Sequence, residues 1–80
     1  MHYNYSIILQ YVNQYVKMIA ENIKKIRKKK EMSQDKLSKL ANVTLTTLTK
    51  IEVGINKNPT INTLQKIAKA LEVGIEELVK

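Results

Sequence analysis

"SQDKLSKLANVTLTTLTKIEVG", residues 33–54, is the stretch on which the reading of this chain turns. Two short apolar sets, Leu37, Leu40 and Ala41 and then Leu45, Leu48 and Ile51, recur at helical spacing on either side of Asn42. Ser33 and Thr44 stand before the two sets, where a hydroxyl takes up a free amide of the first turn, and Asp35 suits the positive end of its helix. Asn42 tolerates the left-handed conformation of a tight turn, and Val43 is placed to plug the core. The second helix ends at Gly54. Its segment "TLTTLTKIE" puts four threonines into nine positions, although each costs a helix about 0.5–0.7 kcal/mol relative to alanine. Thr44 is accounted for as a cap, worth about 1 kcal/mol. The other three cost roughly 2 kcal/mol together and need another purpose.

Working outward, Ile19, Ile23 and Ile26 mark one face of a preceding helix that ends near Lys30, with Lys28, Lys29 and Lys30 against the negative end of its dipole. Downstream, the loop 54–59, "GINKNP", holds the only proline, and Thr60 is a natural cap for a further helix. That helix carries the most regular apolar set in the chain: Ile61, Leu64, Ile67, Ala68 and Leu71. Val73, Ile75 and Leu78 belong to a short last helix capped at Gly74. The spacing therefore predicts an all-α fold of five helices and no strand.

Eighty residues, 44% apolar, bound the answer to one small domain with a modest core. The absence of cysteine removes disulfides, thiolate metal sites and thiol nucleophiles together, and fits the cytoplasm. Lys and Arg number 14 against seven Asp and Glu, a balance that favours a polyanionic partner. The excess is graded along the chain: residues 17–32 carry seven basic and two acidic groups, and residues 60–80 three of each. His2 has no second His or Cys with which to build a metal site, and adjacent Glu76 and Glu77 point in different directions on a helix. No phosphate loop, paired nucleophile and base, or metal cluster is written here, so neither an enzyme nor a cofactor is expected.

Residues 1–16 contain no Lys, Arg, Asp or Glu and hold all four tyrosines, Tyr3, Tyr5, Tyr11 and Tyr15. The shift divides the chain into a tyrosine-rich extension, residues 1–17, and a domain, residues 18–80. The apolar run is too short for a membrane span and lacks the make-up of a signal peptide. Three readings of the extension stand side by side. Ile8, Tyr11, Val12, Tyr15 and Ile19 follow a helical spacing that would run into the next element and pack on a partner subunit; Tyr3, Tyr5 and Ile7 alternate like a strand; or Met18 is the natural start.

Two short helices joined at Asn42, the second capped by threonine, form a helix-turn-helix, whose second helix lies in the DNA major groove with its N-terminal residues at base edges. With "ENIKKIRKKKEMSQDKLSKLANVTLTTLTKIEVG" at 21–54 and "NPTINTLQKIAKALEVGIEEL" at 58–78, the chain resembles the Cro/C1, or XRE, family of helix-turn-helix regulators over about residues 19–80. The resemblance implies a compact five-helix, lambda-repressor-like domain that binds double-stranded DNA as a homodimer, with its dimer edge around Ile75 and Leu78. It places Thr44, Leu45, Thr46, Thr47 and Lys50 at base edges. It places Ser33, Lys57 and Asn58 at phosphates, with Gln34 touching the backbone and bracing the recognition helix. Arg27 and Glu52 match a partly buried ion pair between the first and third helices.

The chain departs from the family pattern in ways that bear on readout. Its recognition helix has no Arg, Gln or Asn to make bidentate contacts with guanine or adenine. Leu45 stands where a polar reader is common, Val53 and Ile55 replace polar residues, and Glu31 and Glu72 sit where glycine often ends a helix. Threonine offers a hydroxyl and a methyl that packs on the thymine methyl, so Leu45, Thr46 and Thr47 are expected to read A·T-containing sites. A transcriptional repressor is the reading these features favour. Two others remain: an antitoxin-like or anti-repressor module whose partner is a protein, using Leu40, Val53, Ile55 and the tyrosine-rich segment, or a basic domain without sequence preference.

Overall fold

The computed structural model describes residues 5–56 and 58–80; the expectations for His2, Tyr3 and Lys57 fall outside them. Helix α1 spans Tyr5–Lys29, α2 Gln34–Ala41, α3 Leu45–Glu52 and α4 Ile61–Ala70, followed by a 3₁₀ turn at Ile75–Glu77. Among the described residues there is no strand, and no helix is long and apolar enough to cross a membrane. Helix α1 packs on α3, α2 packs on both α3 and α4, and the 3₁₀ turn packs on α4. The core joins Ile19 and Ile23, Leu37 and Ala41, Leu48 and Ile51, and Leu64, Ile67, Ala68 and Leu71, closed by Leu78.

Hydroxyl caps open the three short helices. The amide of Lys36 donates to Ser33 Oγ at 3.0 Å, that of Thr47 to Thr44 Oγ1 at 3.1 Å, and that of Thr63 to Thr60 Oγ1 at 3.1 Å. All four α-helices of the described residues close with one motif. The amide of a left-handed residue bonds back three residues and the next amide bonds back five, a Schellman pair. The left-handed residues are Glu31 (φ 53°), Asn42 (φ 56°), Gly54 (φ 77°) and Glu72 (φ 59°). The five-residue bonds run from Met32 to Arg27, Val43 to Ser38, Ile55 to Lys50 and Val73 to Ala68, each 3.0–3.1 Å long. The residue after the turn is apolar each time, and Met32, Val43 and Val73 pack onto the core.

Four expectations need correction. The last element is a single 3₁₀ turn, because the amides of Glu77, Leu78 and Val79 each bond back three residues. The Asn22 amide takes the carbonyls of Leu78 (2.9 Å) and Lys80 (3.0 Å), fixing the end of the chain to α1 instead of letting a helix propagate. Leu78 is fully buried, so of the two residues named for the expected dimer edge only Ile75 lies partly at the surface. Leu40 and Ile61 are 57% and 61% exposed. In α2 the buried face is Leu37, Ser38 and Ala41, and the Ser38 hydroxyl is satisfied by the Asp35 carbonyl at 2.8 Å. The strand-like alternation also fails: Tyr5 and Ile7 are helical.

Helix α1 crosses the change of composition near Lys17 without a break. Val16 is buried beside Gly54, whereas Tyr5, Ile7, Ile8, Leu9, Tyr11, Val12 and Tyr15 are exposed. A left-handed backbone strains any residue with a Cβ by about 1–2 kcal/mol, while glycine costs more unfolded-state entropy. Glu31→Gly and Glu72→Gly are each expected to stabilise the fold by about 0.5–1 kcal/mol, and Gly54→Ala to destabilise it by about 1 kcal/mol, read by urea denaturation.

Candidate nucleic-acid interface

The geometry of α3 is set from below. Leu48, Ile51 and Glu52 face inward and are buried, so Thr46 and Lys50 face outward, flanked by Leu45, Thr49 and Val53. Leu45 is 43% exposed at the helix start. Thr49 and Val53, which the family resemblance does not assign to the interface, complete an outward stripe at 46, 49, 50 and 53. That helical spacing is present in the sequence, masked by the apolar character of Val53.

The threonines divide by role. Thr44 Oγ1 accepts the Thr47 amide and donates its own proton to Thr47 Oγ1 at 2.8 Å, so Thr47 completes the cap as much as it faces solvent. The same pair recurs at Thr60 and Thr63, with 2.9 Å between hydroxyls. Thr46 is exposed and its hydroxyl has no protein partner. Lys50 is also exposed and unpaired; among the described residues, ion pairs engage Arg27, Lys39 and Lys80.

Beneath this surface lies a buried polar cluster. Arg27 Nε donates to Glu52 Oε2 at 2.8 Å and Nη2 to Oε1 at 3.0 Å, a bidentate pair. Glu52's side chain is fully buried and that of Arg27 is 11% exposed. Gln34 Nε2 donates to Glu52 Oε1 at 3.1 Å, and Arg27 Nη1 donates to the Met32 carbonyl at 2.8 Å. One carboxylate thus joins α1, the start of α2 and the end of α3. No buried side-chain polar atom is left unsatisfied among the described residues.

Ser33 and Gln34 lie together at the start of α2. Asn58 sits elsewhere. Its amide donates to Asn56 Oδ1 at 3.0 Å, and with Pro59 it borders Tyr11, Val12 and Tyr15 of α1. Removing one partner of a buried pair leaves the other uncompensated. Glu52→Ala should lose about 3–5 kcal/mol, enough to unfold much of a small domain, whereas Arg27→Met with Glu52→Leu should recover most of that loss in the same denaturation assay.

Residues 23–78 match a family model described as HTH_3, helix-turn-helix. The HTH-type transcriptional regulator SinR of Bacillus subtilis (strain 168) is 36% identical over 62 residues, which cover 78% of this chain and 56% of SinR. SlrR of the same organism is 38% identical over 61 residues, covering 76% of this chain and 40% of SlrR. This chain therefore spans about half the length of the curated relatives it matches. Among solved structures, an HTH_3 family transcriptional regulator from Vibrio cholerae gives a TM-score of 0.79 at 34% identity, over 84% of this chain and 37% of that one. SinR, described as the master regulator for biofilm formation and solved in complex with DNA, gives 0.74 at 34% identity, over 78% and 98%. These relatives are transcriptional regulators, a class whose work is binding and not catalysis, and the chain belongs with them to the Cro/C1-type (XRE) helix-turn-helix family.

Proposed function

We propose that this protein binds double-stranded DNA sequence-specifically as a transcriptional repressor, in the form of a homodimer on a near-palindromic operator. The observation that carries the reading is the outward face of α3, with Leu45, Thr46 and Lys50 exposed on a helix anchored from behind by Glu52. Such a helix enters the major groove with its N-terminal residues at base edges. Leu45 and the Thr46 methyl suit thymine methyls, the Thr46 hydroxyl suits either base or phosphate, and Lys50 is the one long donor of the face. Thr44 and Thr47 sit at the same end and hold it in shape. Ser33, Gln34, Lys57 and Asn58 take the phosphate-side roles, which set register without reading sequence.

The net charge of +7 supplies the nonspecific part of the affinity. Repression follows from occupancy, since a protein seated in the groove denies the same duplex to polymerase. Two half-sites about one helical turn apart, roughly 34 Å, match a two-fold pair of such domains.

Selection of bound sites from a random duplex pool should yield paired motifs with centres about ten base pairs apart, rich in A·T where Leu45 and Thr46 fall. Thr46→Ala should change base preference at one position, with a cost of about 1–3 kcal/mol for the best site. Lys50→Ala should also lower the salt slope of binding by about one unit. Absence of any enriched motif would overturn the reading in favour of a protein-binding role.

A further inference from the structure

The first three turns of α1, residues 5–15, bury no side chain fully. Tyr5, Ile8, Val12 and Tyr15 are 76%, 46%, 38% and 44% exposed, yet they lie on the line of α1 that further along buries Ile19 and Ile23. The core-facing stripe thus runs on past the core, bordered at Val12 and Tyr15 by Asn58 and Pro59 and left exposed along its outer side. Its spacing, three, four and three residues, is that of a two-helix seam. The pattern is also symmetric about residue 10: Tyr5 mirrors Tyr15, and Ile8 mirrors Val12. A helix with such a stripe is complementary to its own antiparallel copy.

We infer that residues 5–15 of α1 pair antiparallel with the same segment of a second copy, burying Tyr5 against Tyr15 and Ile8 against Val12 across a two-fold axis near residue 10. Charge favours this occupant. All Lys, Arg, Asp and Glu lie at Lys17 or beyond, so the arm is the segment on which two chains of net charge +7 meet without opposing lysines. An oppositely charged partner would find no handle there. Antiparallel pairing also sends the two lysine-rich halves of α1 to opposite ends. The two copies of Lys24 then stand about 40 Å apart along the arms, several times the ~8 Å screening length, whereas parallel pairing would set them side by side.

The surface has a matching recess. Tyr11, Val12, Tyr15, Asn58 and Pro59 line an open notch of about 490 Å³, nearly all apolar, at the place where the partner's Tyr5 would arrive. The four stripe residues expose on the order of 400 Å² per copy, taking aromatic side chains at 150–250 Å², a patch of the size that is often functional on a monomer. Two such patches fall below the ~1,200 Å² of a standard interface, so the dimer is weak and concentration-dependent.

Sedimentation equilibrium of the full chain without DNA tests this independently of operator recognition. A monomer–dimer equilibrium is expected, weakened about tenfold or more by either Val12→Lys or Ile8→Lys, with the thermal unfolding of the dilute domain unchanged. The cysteine-free sequence allows a check of direction. Tyr5→Cys protein mixed with Tyr15→Cys protein should form a disulfide dimer readily, and Tyr5→Cys alone should not, since two copies of residue 5 lie about 15 Å apart along the arms while a disulfide needs Cα atoms within about 7 Å. A monomer at every concentration, dimerisation indifferent to both lysine variants, or self-linking of Tyr5→Cys as fast as the mixture would overturn the inference. DNA binding could survive any of those results.

Discussion

The carboxylate of Glu52 is the point at which the domain is tied together. It sits in the last turn of α3, fully buried, and accepts two hydrogen bonds from Arg27 of α1 and one from Gln34 of α2. Helices of eight residues, such as α2 and α3, have no stability of their own in water, so their angle and roll must come from contact. Leu37, Leu48 and Ile51 supply the burial, at about 1.5–3 kcal/mol for each large side chain, but apolar packing has little directional preference. A bidentate guanidinium–carboxylate pair does. A buried ion pair is weak as a source of net stability against well-packed apolar residues. What it adds is direction: it ties the end of α3 to α1 and α2 through three specific hydrogen bonds, beside the burial of Leu48 and Ile51.

The second constraint is punctuation. Four helices end in the same left-handed turn, and at two of these ends a glutamate occupies the conformation that glycine adopts most cheaply. The strain is offset by burial of the apolar residue next in the chain. Met32 and Val73 reach the core only because the backbone reverses at Glu31 and Glu72, and Met32 also places its carbonyl on Arg27. The turn at Asn42 has the same form and sets α3 against α2. Helix-turn-helix geometry here is thus one instance of a motif used at every helix end.

The threonines of α3 obey the same geometry. Thr44 and Thr47 bond to one another and close the helix start, Thr46 is left free on the outer face, and Thr49 flanks it half-buried. Poor helix formers are tolerated because packing of Leu48 and Ile51 holds the helix, not propensity. The hydroxyl at a cap and the hydroxyl at the outer surface are chemically alike. Only their place in the turn separates the hydroxyls that close the helix start from the one proposed to reach DNA.

Local chemistry made much of this protein legible from its residues alone. The caps Ser33, Thr44 and Thr60, the turn at Asn42 and the apolar rows of α1, α3 and α4, apart from the exposed Leu45 and Ile61, each depend on neighbours within a few positions, and these are where the structure puts them. The glycine-like sites at Glu31 and Glu72 were visible only as departures from the family pattern. Properties that depend on distant parts of the chain were not legible in local chemistry; the pairing of Arg27 with Glu52 came from the family resemblance alone. Rotation of α2 toward Ser38 and away from Leu40 is set by its place between α3 and α4. The last turn stays 3₁₀ because Asn22, 56 residues from Leu78, holds its carbonyl. The sequence by itself determined where helices begin, end and carry apolar faces, since those are short-range hydrogen-bonding and periodicity effects. Tertiary structure alone decided how far each face turns inward, and therefore that α3 presents Thr46 and Lys50 while the stripe at the start of α1 stays exposed along its outer side.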